Sequence, residues 1–369
     1  MKWMEKIKKK SKKSLISFFA CVCFLLILWS VFSQTTYLFR NGKSNTWRMS
    51  GFKTEKHDPD LVYVGGSAAY SNWFPMVAWN SNGITSYCLA TSDILAENVK
   101  PYIEYFRTYK NTKCFVIDAR PFEYYATVEN EAGLRNGSDG MDLTSPYRYE
   151  LLREYLTRHQ LSEGTDVLSY YLDIAKYHTN TAQLGDDGAW KNRRNEGETS
   201  YKGGWPNASF CELEMPRDFA TEIRGELHPS ARELLVELLE YGKKEELEFL
   251  FVVCPYCISQ SQQRMYNTIA DIVESYGQGF WNANEYYAEM GLVFSRDLAA
   301  DVHGNVSGGE KYTAFLAAYL QEHYDLPDHR EDRAYSDWWE DYRTFDRDFS
   351  AAREKHQYYL DIHHHLLSQ

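Results

Sequence analysis

The run Leu61-Val62-Tyr63-Val64-Gly65-Gly66-Ser67-Ala68-Ala69-Tyr70 constrains the fold more than any other stretch of the chain. Four branched or aromatic residues read as a short strand buried on both faces. Two glycines end it and a helix start follows, so the Ser67 hydroxyl is expected at the edge of a sheet. The N–H groups of the turn and of the first helical turn point at the same spot. An acyl-transfer nucleophile needs that setting, because charge developing on the substrate oxygen must meet donors already in place. The same residues also describe an ordinary strand-to-helix turn that contains a serine, and the remainder of the chain has to decide between the two.

Further strands are expected at residues 83–89, 113–117 and 247–253, each an apolar run rich in branched and aromatic side chains. Helical periodicity marks 96–109, 231–246, 265–276 and 311–323. Strands alternating with helices build a parallel sheet covered on both faces, so the expected class is α/β. Residues 123–210 are polar and broken by glycines and tryptophans, with helical patches near 149–158 and 167–177. They read as an insertion, where ligand-binding loops emerge at the carboxyl ends of parallel strands. There is no internal repeat and no low-complexity tract.

Ahead of the first strand lies a segment of another kind. Residues 1–14 carry seven lysines and one glutamate, a local charge of +6, and residues 15–32 carry no charge at all. Eighteen uncharged, largely apolar residues suffice for a membrane-spanning helix. No small-x-small cleavage site follows, which argues against a removed signal peptide. Lysines on the N-terminal side keep that end in the cytoplasm, and Trp29 falls where an interfacial anchor belongs. The expected organisation is a cytoplasmic basic segment (1–14), a transmembrane helix (15–33), a linker (34–59), an extracytoplasmic domain (60–325) and a C-terminal helical extension (326–369). The aromatic face of that extension favours packing on the domain over a surface for a membrane partner. Removing the basic segment from the whole-chain charge of −12 leaves −18 for the rest. So acidic an exterior excludes nucleic acid as a partner, since phosphates need a basic patch.

The second chemical feature is the loop Asp297-Leu298-Ala299-Ala300-Asp301-Val302-His303-Gly304-Asn305, followed by a glycine-rich helix start. His303 can take the Ser67 proton while a carboxylate holds the imidazole in the right tautomer. A nucleophile just after the first strand, with its base just before the last helix of the domain, resembles the SGNH (GDSL-like) hydrolase superfamily. The likeness is nearest to its membrane-anchored extracytoplasmic branch, relatives of alginate O-acetylation proteins and of the D-alanyl transfer protein of teichoic acid synthesis. It rests on the order of Val64-Gly65-Gly66-Ser67, Trp79-Asn80-Ser81-Asn82-Gly83-Ile84, Val116-Ile117-Asp118-Ala119-Arg120-Pro121, Asp173-Ile174-Ala175-Lys176-Tyr177-His178 and His303-Gly304-Asn305. It covers about residues 60–325.

The resemblance implies a flavodoxin-like three-layer sandwich and a Ser–His–Asp site that hydrolyses or transfers acyl esters. The implied substrate is a cell-surface glycan or related bacterial envelope polymer. A multi-pass membrane O-acyltransferase is implied as a partner, and no cofactor. In many relatives the catalytic aspartate lies three residues before the histidine, where this chain has Ala300. Asp301 is the expected substitute, with Asp297 the other choice. Where relatives carry a Gly-x-Asn oxyanion segment, this chain has Asp118-Ala119-Arg120, so Arg120 either supplies the donor or pairs with Asp118. Backbone groups around Ala90, Thr91 and Ser92 would complete the oxyanion hole. Lys176 and His178 are candidates for binding an anionic or sugar substrate, or are structural. The shifted aspartate also fits an inactive glycan-binding or assembly protein on the same fold.

Three rival motifs remain. Cys254-Pro-Tyr-Cys257 follows a strand and precedes a helix, the placement of a thiol–disulfide redox centre whose first thiol is acidic. No segment of the type that faces such a motif follows, so a local structural pair or disulfide is the better reading. His363-His364-His365 does not read as a metal site, because consecutive helical histidines point in different directions. Gly65-Gly66-Ser67-Ala68-Ala69 looks like a nucleophile elbow, but an α/β-hydrolase places several strands before its serine.

Overall fold

Five short strands form one sheet: β1 (Leu61–Gly65), β2 (Ser86–Ala90), β3 (Cys114–Asp118), β4 (Glu248–Val253) and β5 (Gly279–Asn282). The structure, a computed structural model, describes residues 2–40, 45–181 and 200–367. The strand order is β2-β1-β3-β4-β5, and every pairing is parallel. All residues of β1, β2 and β3 are buried, which explains why these strands read as unbroken apolar runs. The chain runs from β1 outward to β2 and then back past β1 to β3. The strand order therefore reverses between β1 and β3, and a crevice opens there at the carboxyl ends.

The chain divides into two compact units, Met1–Gly42 with Asp166–Glu196, and Lys43–Thr165 with Gly197–Gln369. In the first, a single helix runs over Lys2–Phe39. Its Lys13–Phe39 portion is 27 residues long and holds an 18-residue stretch of mean hydropathy 2.7, long and apolar enough to cross a membrane. Beyond its end the Arg40 Nε donates to Asp173 Oδ2 at 2.7 Å, and the Asn180 amide donates to the Phe39 carbonyl at 3.1 Å. Residues 167–177, expected as one helical patch, form two short helices, Val167–Tyr171 and Asp173–Tyr177.

The second unit holds the sheet and its helices. Ala96–Arg107, Pro229–Lys244, Gln260–Ser275 and Val306–His323 are the long ones beside the strands. Ser259 starts Gln260–Ser275 with a capping box to Gln262, and Asn305 caps Val306–His323 by accepting from the N–H groups of Ser307 and Gly308. Part of the expected linker is folded. Within it, Asn45–Met49 and Gly51–Thr54 are turns of 3-10 helix, and Arg48, Met49 and Phe52 are buried. Short polar-flanked turns have no period to betray their burial.

The expected insertion is likewise divided. Glu131–Ser138 and Pro146–Arg158 stay with the sheet unit, residues 166–181 belong to the unit of the N-terminal helix, and 182–199 lie outside the described residues. The returning chain covers the free edge of β2, where Cys88 N–H donates to the Lys202 carbonyl at 2.8 Å.

The C-terminal helix Ser336–Leu367 packs against the domain. Trp338, Phe345 and Phe349 are buried with Phe74, Met76, Trp79 and Val306 in one cluster. The Trp79 ring lies 5.4 Å from Trp338 and 5.3 Å from Trp339. Trp79→Ala is expected to destabilise the sheet unit by about 3–5 kcal/mol, measured as the shift in urea midpoint of the full chain in detergent.

Candidate functional site

Ser67 opens the helix Ser67–Asn72 directly beyond β1. The turn is tight because Gly65 lies against two neighbours: a Cβ there would stand 2.6 Å from Ala69 Cβ and 2.9 Å from Asp118 Cβ. His303 arrives on a two-residue strand, β7 (His303–Gly304), paired antiparallel with β6 (Leu298–Ala300). Gly304 lets that strand reach the Ser67 helix, since a Cβ would collide with Asn72 Oδ1 and stand 2.9 Å from the Ser71 carbonyl oxygen. The outcome is a contact of 2.7 Å between His303 Nε2 and Ser67 Oγ.

The two aspartates near the histidine are placed differently. Asp297 is fully buried and spoken for. Its oxygens accept from Val293 N–H at 2.7 Å, Ser307 Oγ at 2.7 Å, Lys311 Nζ at 2.6 Å and Arg296 Nε at 3.2 Å. Burial works to raise its pKa, but the bonds from Arg296, Lys311, Val293 and Ser307 outweigh it and hold the carboxyl below its ordinary value. That network ties the turn before β6 to the start of Val306–His323, so Asp297 serves the loop's shape. Asp301 is exposed, and among the described residues no carboxylate is hydrogen-bonded to the other ring nitrogen of His303. Asp301 acts on the imidazole as a nearby charge. Burial lowers the His303 pKa; Asp301 and Asp93 oppose that, Arg120 adds to it, and the net shift is downward.

Asp118 ends β3 beside the same turn. Its Oδ2 accepts from Gly66 N–H at 3.4 Å and its Oδ1 from Arg120 N–H at 3.1 Å. Burial raises its pKa against the pull of Arg120 and Gly66. The Arg120 guanidinium lies 5.5 Å over the Tyr256 ring, and its buried Nε has no hydrogen-bond partner among the described residues. Thr91 is buried and gives its N–H to the Gly65 carbonyl at 3.1 Å, so that amide serves the turn and is not free for an oxyanion. Lys176 and His178 belong to the unit of the N-terminal helix, where His178 Nδ1 pairs with the Ala175 carbonyl at 2.9 Å.

Ser67, Asp118 and Arg120 line a cavity of about 210 Å³ together with Tyr124, Asn130 and His159. The last three carry no sequence signal, because they sit in the aperiodic insertion. Asn130 caps Glu131–Ser138 through its Oδ1, which accepts from Gly133 N–H at 2.9 Å, and leaves its amide N–H groups uncommitted among the described residues. His159 gives Nδ1–H to the Val128 carbonyl at 2.8 Å and pairs with buried Glu97 through Nε2. It belongs to the cavity's frame.

The cysteine motif is chemically unlike a redox centre. Cys254 is buried, 3.2 Å from Tyr63 Oη, and burial pushes its thiol up to about 12. Burial and the Asp301 charge also raise Cys257, and both cysteines are free. A thiolate nucleophile needs the opposite shift. Among the described residues no group of three or more His, Cys, Asp or Glu could hold a metal ion.

Comparison of the sequence with protein-family models and with curated proteins finds no match.

The lowered His303 pKa makes the ring neutral at neutral pH and able to accept a proton. NMR titration of the His303 ring should give a midpoint below the ordinary 6.5. In Asp301→Asn, which removes a charge that favours the imidazolium, the midpoint should move lower still; an upward move contradicts this electrostatic assignment.

Proposed function

We propose that the chain is a membrane-anchored serine esterase or O-acyltransferase of the SGNH-like type, with a flavodoxin-like domain outside the cell. The observation that carries the reading is the 2.7 Å contact between Ser67 Oγ and His303 Nε2 beside a cavity. Further support comes from the strand order, with the nucleophile at the β1/β3 reversal where parallel sheets bind ligands. The apolar N-terminal helix with its lysine-rich start supports an anchor whose N-terminus is cytoplasmic.

In this reading Ser67 Oγ attacks the acyl carbonyl as His303 Nε2 takes its proton. The oxyanion meets the Arg120 guanidinium, the Asn130 amide and the Ser67 and Ala68 N–H groups, which have no acceptor within their own helix. His303 then returns the proton to the departing alkoxide, leaving acyl-Ser67. Water or an acceptor hydroxyl reverses the sequence and frees the serine. Asp301 acts through its field on the imidazole in place of a bonded third member. The substrate proposed is an acyl ester of an envelope polysaccharide or related polymer, and a multi-pass acyltransferase is the proposed source of acyl groups. That no carboxylate among the described residues is bonded to His303 is what favours the second reading, a glycan-binding protein without turnover.

The test uses the full chain in detergent, with fluorophosphonate labelling and p-nitrophenyl acetate turnover. Wild type should label and turn over, Ser67→Ala should do neither, and His303→Ala should lose roughly 10³-fold or more in turnover. Labelling that survives Ser67→Ala, or a folded wild type that neither labels nor turns over, overturns the esterase reading. Gly304→Ala should cost turnover roughly 10²-fold, because it displaces the base from the nucleophile by the width of a methyl group.

A further inference from the structure

A second cavity, of about 400 Å³, has His303 in its wall and is lined by Trp47, Arg48, Tyr70, Trp205 and Asn207. Four separate segments build it: the 3-10 turn Asn45–Met49, the Ser67 helix, the chain returning from the insertion, and β7 with His303. The aromatic faces are braced. The Arg48 guanidinium, 2% exposed, lies 4.2 Å over the Trp47 ring, 4.1 Å over Tyr70 and 5.7 Å over Trp205. Its Nε donates to the Gly203 carbonyl at 2.8 Å. Trp205 N–H donates to the Tyr70 carbonyl at 2.8 Å, which ties that residue to the Ser67 helix.

Within this braced frame Trp205 remains 49% exposed, a large flat apolar surface presented to solvent at a cavity. Asn207 spends its carbonyl on Val306 N–H and its Oδ1 on Ser209 N–H, and among the described residues its amide N–H groups have no acceptor. Flat aromatic faces with a spare amide donor and an imidazole suit a ring whose faces are C–H and whose edges are hydroxyls. The volume suits roughly one or two such rings. Arg48 is the cavity's one cation among the described residues, and it is sunk beneath the aromatic faces. The charge of −18 outside the basic segment also repels anions. A neutral saccharide is therefore the ligand class that fits.

We infer that this second cavity binds a neutral saccharide and presents one of its hydroxyls to acyl-Ser67 as the acceptor. The binding site stands on its own geometry; the transfer rests on the proposed Ser67 reading. The saccharide O–H gives its proton to His303 Nε2 as its oxygen bonds to the acyl carbon. The bond from that carbon to Ser67 Oγ breaks, and the serine recovers the proton from His303. One ester is exchanged for another with no change in oxidation state. Ser67 lines the first cavity and His303 the second, so the donor can leave and the acceptor enter by different sides of the Ser–His pair. A plain hydrolase has no use for the second.

The experiment titrates chitotetraose, cellotetraose and maltotetraose calorimetrically into the full Ser67→Ala chain in detergent. At least one should bind with a Kd below about 1 mM. Adding Trp205→Ala or Trp47→Ala should weaken it roughly tenfold or more, and Trp205→Phe, which keeps a flat face, should restore most of the loss. In the wild type the same saccharide should speed p-nitrophenol release from p-nitrophenyl acetate and appear acetylated by mass spectrometry. No binding of any of the three to a chain whose wild type labels with fluorophosphonate overturns the site while sparing the esterase. Binding indifferent to both tryptophans also overturns it. Trp205-dependent binding in a chain that does not label supports the site and overturns the esterase reading.

Discussion

The site depends on backbone approaching backbone at two points. At Gly65 the end of β1 lies against Ala69 and Asp118, and at Gly304 the histidine strand lies against the carbonyl of Ser71 and the side chain of Asn72. Neither approach has room for a Cβ, and neither glycine has a positive φ. Their value is steric. Polar backbone this close must be paired or capped, and it is: Asn72 bonds the Ala68 carbonyl at 2.8 Å and Asn305 holds the first turn of the following helix. The Ser–His contact is thus fixed by main chain, with little left for side-chain rotamers to lose.

The electrostatics follow from that packing. With Asp297 consumed by Arg296, Lys311, Ser307 and the Val293 amide, the loop gains a rigid root but gives up its buried carboxylate. The remaining charge, Asp301, lies in solvent, where high dielectric weakens it. Burial then dominates His303 and lowers its pKa. An imidazole so placed is always available as a base near neutral pH. It is a weaker base than one backed by a bonded carboxylate would be, because its charged form is less stabilised.

Strands β1 to β4 and the two chemical residues were legible because each carries a local signal. The run 61–64 and the glycine pair mark β1 and its turn, and His303-Gly304-Asn305 combines a base, a close approach and a helix cap. What escaped was whatever tertiary contact creates. β5 is four residues, Gly-Phe-Trp-Asn, with no strand-like run. Arg48 and Phe52 look like linker until they are seen buried. Asn130 and His159 lie in a stretch with no period, and nothing local says that they face Ser67's cavity. The Cys254 motif misleads for the same reason: its four letters promise an accessible thiolate, but Tyr63 and Tyr312 enclose the sulfur.

The chain returning from the insertion joins these levels. An open β2 would be a sticky edge in a parallel sheet, and residues 201–203 cover it, with Gly203 at φ +90 pressed against the Cys88 carbonyl. The buried ammonium of Lys202 is held by Glu55 at 2.6 Å and Asp341 at 2.5 Å. One short segment thereby fastens the 3-10 turns, the sheet edge and the C-terminal helix. Trp205 and Asn207 follow it directly, so the second cavity inherits its rigidity from the device that closes the sheet. A surface assembled that way pays its ordering cost during folding and not on binding. In the proposed reading, open aromatic faces held that firmly next to the His303 imidazole are better suited to orienting a weak, neutral ligand than to gripping a tight one.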